Sequence, residues 1–119
     1  MRDSEHSLLN FANYRSIRSI RKLLKRINEL QRISEFSQTA LCIWIDLKEA
    51  IKKAPTEKQR YCLVLYYICK ETQKDIANEI GISQQSINAY IKGGERNIQK
   101  FLLDGSLYQG DHNGKKEII

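Results

Sequence analysis

Apolar residues recur at helical spacing along most of the chain, and the gaps between the runs carry capping chemistry. From about His6 to Arg32 the apolar positions are Leu9, Ile17, Ile20, Leu23/Leu24, Ile27 and Leu30. From Ile17 onward they are three or four apart, which predicts an amphipathic helix. Ser34, Ser37 and Thr39 then offer capping side chains. A second helix is predicted over about Thr39 to Lys53, on a stripe of Leu41, Trp44, Ile45, Leu47 and Ile51. Pro55 closes it, since the residue before a proline disfavours the α region. Thr56 with Gln59 makes a capping box, so a third helix is predicted from about Glu57 to Lys70. It contains "YCLVLYYIC", apolar nearly all round, and so is expected to be covered on several faces by the N-terminal helices or by a second subunit.

Thr72 and Asp75 open a short helix that runs to Ile80, Gly81 supplies a left-handed stop, and Ser83 caps the next helix. In that last helix Ile87, Ile91, Gly94, Ile98 and Phe101/Leu102 are spaced four, three, four and three. A continuous or kinked helix is expected there in preference to a break after Lys92. Gly94 falls on the buried face, whereas Gly93 lies beside it with no packing reason visible in the sequence. The pattern gives an all-α fold in three parts: a basic amphipathic extension over 1–36, a helical domain over 39–103 and a flexible tail over 104–119.

Charge adds a direction. Residues 1–54 hold 11 Lys/Arg against 6 Asp/Glu, while residues 55–119 hold 9 against 8. The excess is concentrated on the first helix, where Arg15, Arg18, Lys22 and Lys25 form a candidate accessory basic face. Such a face is either solvated or meets phosphate or an acidic partner surface. Cys42, Cys62 and Cys69 lie in apolar helical stretches, and the expectation is of buried thiols in a reducing cytoplasm. No apolar run approaches the roughly 18 residues of a membrane span, so no membrane association is expected. Nothing in the sequence suggests a metal site, a cofactor or an enzyme active centre. Asp46 and Glu49 lie one helical turn apart and are expected to be surface charge.

The chemistry is concentrated between Thr72 and Arg96. Ile76 and Ile80 are expected to face the core, Ala77 to permit a close helix crossing, and Ile82 to pack the turn inward. Ile87, Tyr90 and Ile91 would anchor the second helix, leaving Gln84, Gln85, Ser86, Asn88 and Ala89 outward. This is the layout of a helix-turn-helix reader of double-stranded DNA. Amides bond N6 and N7 of adenine as bidentate pairs, so Gln84, Gln85 and Asn88 are the candidate base contacts. Thr72, Lys74, Ser83, Ser86, Lys92 and Arg96 flank them as candidate phosphate contacts.

The run "DLKEAIKKAPTEKQRYCLVLYYICKETQKDIANEIGISQQSINAY" resembles region 4 of bacterial sigma factors, over about half the chain, Ile43 to Leu102. Leu47, Ala50, Ile51 and Pro55 match that family's first helix and its exit. Arg60, Leu63, Leu65 and Tyr67 match its second helix, and Thr72, Ile76, Ala77, Gly81, Ile82 and Ser83 its helix-turn-helix. The resemblance implies promoter DNA as a ligand, with RNA polymerase a possible partner. Three departures qualify it. A promoter-melting region is not expected beside it. Tyr61, Val64 and Tyr66 stand where the family shows polar residues, implying an added partner surface. The reading helix also lacks the family's Arg- and Glu-rich start.

Short stand-alone chains of this type, with a basic extension, resemble late-gene transcription regulators of phages. The expectation is therefore a phage or prophage DNA-binding transcription regulator, acting as a homodimer. The alternatives are a DNA-packaging oligomer of the terminase small-subunit type and a module that docks on RNA polymerase.

Overall fold

The computed structural model describes residues 13–105. Among them the chain forms six α-helices and no strand: α1 (Ile17–Lys25), α2 (Ile27–Ile33), α3 (Gln38–Lys53), α4 (Glu57–Leu63), α5 (Gln73–Ile80) and α6 (Gln84–Gly105). A π-helical turn, Val64–Ile68, extends α4. The predicted caps are formed. Ser37 accepts from the Ala40 N–H, Thr72 accepts from the Asp75 N–H, and Thr56 with Gln59 completes both halves of the capping box. Ser16 caps α1 in the same way.

The long first helix expected from about His6 is different. Its start, including Leu9, lies outside the described residues, and the remainder breaks at Arg26, whose backbone sits at φ −110° and ψ 29°. Helical spacing continues through the break, so periodicity alone does not reveal it. The bend brings Ile27, Leu30 and Ile33 of α2 into the same core as Ile20, Leu23 and Leu24 of α1. At roughly 2 kcal/mol for each buried Leu or Ile side chain, that burial outweighs the ~1 kcal/mol of any single cap. Residues 13–36 therefore share one core with the rest of the bundle. Arg26 itself clamps Glu29 through two 2.9 Å bonds.

Three further details depart from the pattern. The buried stripe of α3 is Ala40, Ile43, Leu47 and Ala50, joined by Asp46, with Leu41 exposed and Trp44 only partly covered. The two alanines let neighbouring elements come close, which a count of large apolar residues does not detect. Asp46 is buried and accepts from the Tyr14 hydroxyl at 3.1 Å, so it is not surface charge. Cys62 is buried as expected, whereas Cys69 is exposed just past the π turn.

The apolar third helix ends sooner than its composition suggests. After Leu63 the backbone widens, the Cys69 N–H bonding the Val64 carbonyl, and Lys70 turns out at φ 62°. Lys70 then donates from Nζ to the Lys25 carbonyl at 2.8 Å, capping the end of α1. Cys62, Leu63 and Tyr67 are buried, and α1 and α2 line the surface over Leu63, Val64 and Tyr67. The cover expected for this segment thus comes from the same chain, the N-terminal helices lying over the π turn and α6 over α4. Arg60 holds the exit of α3 by donating to the Ile51 and Pro55 carbonyls.

The last helix is continuous through both glycines, and Asp104 and Gly105, assigned to the tail, are still helical. A Cβ on Gly94 would stand 2.6 Å from Leu63 Cδ1, and one on Gly93 would stand 2.7 Å from Gln59 Nε2. Gly94 is the packing position the stripe indicated. Gly93 is also explained: the Gln59 side chain crosses it to accept from Asn97 Nδ2 at 2.8 Å. The rest of the tail, 106–119, lies outside the described residues.

Candidate nucleic-acid interface

The helix-turn-helix is α5, a turn and the first turns of α6. Gly81 sits at φ 86°, where a side chain would cost about 1–2 kcal/mol, and its N–H and that of Ile82 both bond the Ala77 carbonyl. Ile76, Ala77, Ile87 and Ile91 are buried between the two helices. Ile80 and Ile82 are not: each is 37% exposed, contrary to the expectation that they face the core. Both instead line an open apolar groove of about 340 Å³ with Tyr61, Cys62 and Tyr90, flanked by Glu57 and Lys58. The α5–α6 crossing is sealed by Ile76 and Ala77, so the residues at the turn are left on its outer side.

The candidate base readers stand where the turn presents them. Gln84 and Gln85 are exposed at the first two positions of α6, with Ser86 exposed after them. Ser83 caps the helix by accepting from the Ser86 N–H at 3.0 Å, and its hydroxyl donates to Ser86 Oγ. The N–H groups of Gln84 and Gln85 are among those that have no partner within a helix and can meet an anion. Asn88 is half-buried and donates to Gln73 Oε1 at 3.3 Å, so its amide also braces α5 against α6. Thr72, Lys74, Lys92 and Arg96 are exposed. Lys92 lies eight residues beyond Gln84, about 12 Å along the helix, comparable to the width of the major groove. A helix whose first turn reaches base edges therefore carries Lys92 near the groove lip, where phosphates run.

The proposed partner surface does not hold together as one face. Tyr61 lies in the apolar groove and is 53% exposed, Val64 packs toward Leu24 and Ile27, and Tyr66 stands edge-on to Tyr67 beside Lys25. The α4–π segment turns these three residues to three sides.

The structure also gathers residues that the sequence keeps far apart. Arg18, Lys22 and Lys25 of the basic face meet Asn88 and Lys92 across a cleft of about 280 Å³ between α1 and α6, whereas Arg15 precedes the helix and does not line it. At its base is a buried carboxylate that sequence reasoning missed. Glu95, 2% exposed, accepts from Arg21 Nε at 2.7 Å and from the Tyr67 hydroxyl at 2.5 Å. Burial, then the bond to Glu95, pushes the Tyr67 hydroxyl well above its ordinary value of 10.0, so it stays protonated and donating. The bond to Glu95 also raises Arg21. The only sequence signal was Glu95 standing one position beyond Gly94, at the edge of the apolar stripe.

On the outer side of α5 the Glu79 carboxyl pushes Glu71 up by a hydrogen bond, with burial and Asp75 adding to the rise. That acidic group leaves Thr72 and Lys74 as the anion-compatible groups at this end. Among the described residues no cluster of His, Cys, Asp and Glu could hold a metal ion, and no helix is long and apolar enough to cross a membrane.

Residues 56–100 match the family model described as sigma-70, region 4. Neither a curated protein nor a solved structure matches the chain. The matched segment begins at the Thr56 cap and takes in α4, the π turn, the helix-turn-helix and most of α6. Residues 56–100 are a sigma-70 region 4-like helix-turn-helix, a DNA-binding unit set in an all-α bundle.

Proposed function

We propose that the chain is a sequence-specific transcription regulator of phage or prophage origin, reading double-stranded DNA through the helix that opens at Gln84. The observation that carries this reading is the exposed amide pair Gln84 and Gln85 at the start of α6, with Lys74, Lys92 and Arg96 exposed around it. Amides read adenine edges, and the cations hold the flanking strands. No catalytic role is assigned to the chain, and it acts by occupying DNA, as a homodimer on a two-fold site.

A second reading, docking on RNA polymerase, is favoured by the apolar groove of Tyr61, Ile80, Ile82 and Tyr90 beside the DNA face. It is compatible with the first, since region 4-like units serve promoters. DNA packaging remains the alternative within DNA binding, and mass measurement separates the two, a ring of many copies favouring packaging.

Replacing Gln84 and Gln85 together by Ala tests the base contacts. Each bidentate pair is worth ~1–3 kcal/mol of discrimination, so preference for the cognate duplex over a scrambled one should fall on the order of 100-fold. Non-specific affinity should hardly change. Equal weakening on both duplexes would assign the glutamines to the backbone and remove the reading.

A further inference from the structure

We propose that the cleft between α1 and α6 is a second phosphate-binding surface for the same DNA, fixed in register with the reading helix by Arg21, Glu95 and Tyr67. The proposal rests on the DNA-binding reading above and extends its footprint.

Among the described residues the cleft is lined by five cations, four from α1 and Lys92 from α6, and by one carboxylate, Glu95. That carboxylate is already bonded to Arg21 and Tyr67. On other helices Lys53 has Glu49 and Arg26 has Glu29 one turn away. Helix α1, IRSIRKLLK, contains no acid at all. Two like charges 4 Å apart repel by about 1 kcal/mol even in water. Gathering several along one wall costs stability, and a polyanion reverses that cost.

The cleft is also continuous with the reading helix. On α6, Gln84, Asn88, Lys92 and Glu95 are spaced four, four and three, so they run up one edge of the helix. The upper part of that edge faces the cleft, through Asn88, Lys92 and Glu95. A strand leaving the groove lip at Lys92 therefore passes along α1. Arg18 to Lys25 spans seven residues, about 10 Å, which is the axial rise of roughly three phosphates on one strand. An acidic protein surface would satisfy the charge but has no reason to share an edge with the base readers.

The two walls of the cleft are also held together. Arg21 belongs to the basic stripe, yet its guanidinium is turned onto Glu95 of the reading helix, 74 residues away. Tyr67 holds the other carboxylate oxygen from the π turn. This buried junction fixes α1 against α6 without drawing on Arg18 or Lys25.

The test is the salt dependence of DNA binding by the full chain carrying Arg18→Gln, Lys22→Gln and Lys25→Gln, which keep much of each side chain's apolar stem. The control is Lys48→Gln, Lys52→Gln and Lys53→Gln on α3, which removes the same charge from residues that do not line the cleft. The α1 variant should lose about 2.7 units of log–log salt slope, so its affinity should weaken roughly 40-fold less than wild type between 50 and 200 mM salt. Its hydroxyl-radical footprint should shorten on one strand, with cognate preference retained as evidence of a folded reading helix. The control should keep the wild-type slope and footprint.

An unchanged slope and footprint in the α1 variant would overturn the proposal, as would an equal loss in the control. Loss of binding to an acidic protein with DNA binding intact would also overturn it. If the wild-type chain shows no salt-dependent DNA binding, the DNA reading itself fails, a result distinct from failure of the cleft alone.

Discussion

Gly94→Val is expected to lower stability by about 3 kcal/mol, enough to leave a small domain largely unfolded under mild denaturant. A Cβ at this position would lie 2.6 Å from Leu63 Cδ1, 3.2 Å from Leu63 Cγ and 3.3 Å from Gln59 Cβ. The Leu63 tip could rotate, but it is buried, and Gln59 Cβ moves only with the backbone of α4. Valine adds two further methyl groups to that clash. The opposing gain from replacing glycine inside a helix is below about 1 kcal/mol, so packing decides the sign. Gly105→Val is the matched control, because nothing stands within 4 Å of an added Cβ there. Urea unfolding followed by circular dichroism should show the midpoint falling for the first variant and nearly unchanged for the second. Equal midpoints would mean that α4 and α6 do not cross closely at Gly94.

Arg21→Ala is expected to cost about 3 kcal/mol, although Arg21 itself is partly exposed. The loss arises at the other end of the pair. Glu95 would remain as a buried carboxylate with the Tyr67 hydroxyl as its remaining named donor. An exposed pair such as Lys53–Glu49 is screened by water, so Lys53→Ala should barely register. Tyr67→Phe should fall between the two, removing one hydrogen bond to a charged acceptor at about 1.5–3 kcal/mol. Arg21→Lys should restore only part of the loss, since an ammonium lacks the guanidinium fork. Thermal melts of the four variants give the order directly. A neutral Arg21→Ala would show that Glu95 reaches solvent, and the registration of α1 on the reading helix would lose its support.

These two positions also show what the sequence could and could not convey. Local chemistry was legible. Thr56 with Gln59, Thr72 and Ser83 each cap the helix expected of them, because a cap depends on neighbours within one turn. Gly81 was legible because a glycine just after a short helix is the residue that adopts a positive φ without a Cβ penalty. Gly94 was legible because a small residue on an apolar stripe implies a close neighbour. Gly93 was not, since the Gln59 side chain that crosses it comes from another helix. The break at Arg26 leaves the apolar spacing intact and so leaves no trace in it. Asp46 and Glu95 look like ordinary charged residues until Tyr14, Arg21 and Tyr67 arrive from distant parts of the chain.

The same division applies to the DNA-binding surface. The amides at Gln84 and Gln85 were legible because their exposure follows from the helix phase set by Ile87 and Ile91. The basic face on α1 was visible as composition, but its position beside Asn88 and Lys92 depends on tertiary packing. Ile80 and Ile82 misled for the same reason. Apolar residues at a turn are assigned to the core by pattern, whereas here Ile76 and Ala77 already seal the crossing and the isoleucines line an open groove.

The most direct test of the account is selection of bound duplexes from a random pool by the purified full chain, at a salt concentration that suppresses non-specific binding. The account gives an enriched motif with adenine at one or two fixed steps, lost when Gln84 and Gln85 are replaced by Ala. A wild-type pool that remains random after repeated rounds, with affinity equal across sequences, would contradict it.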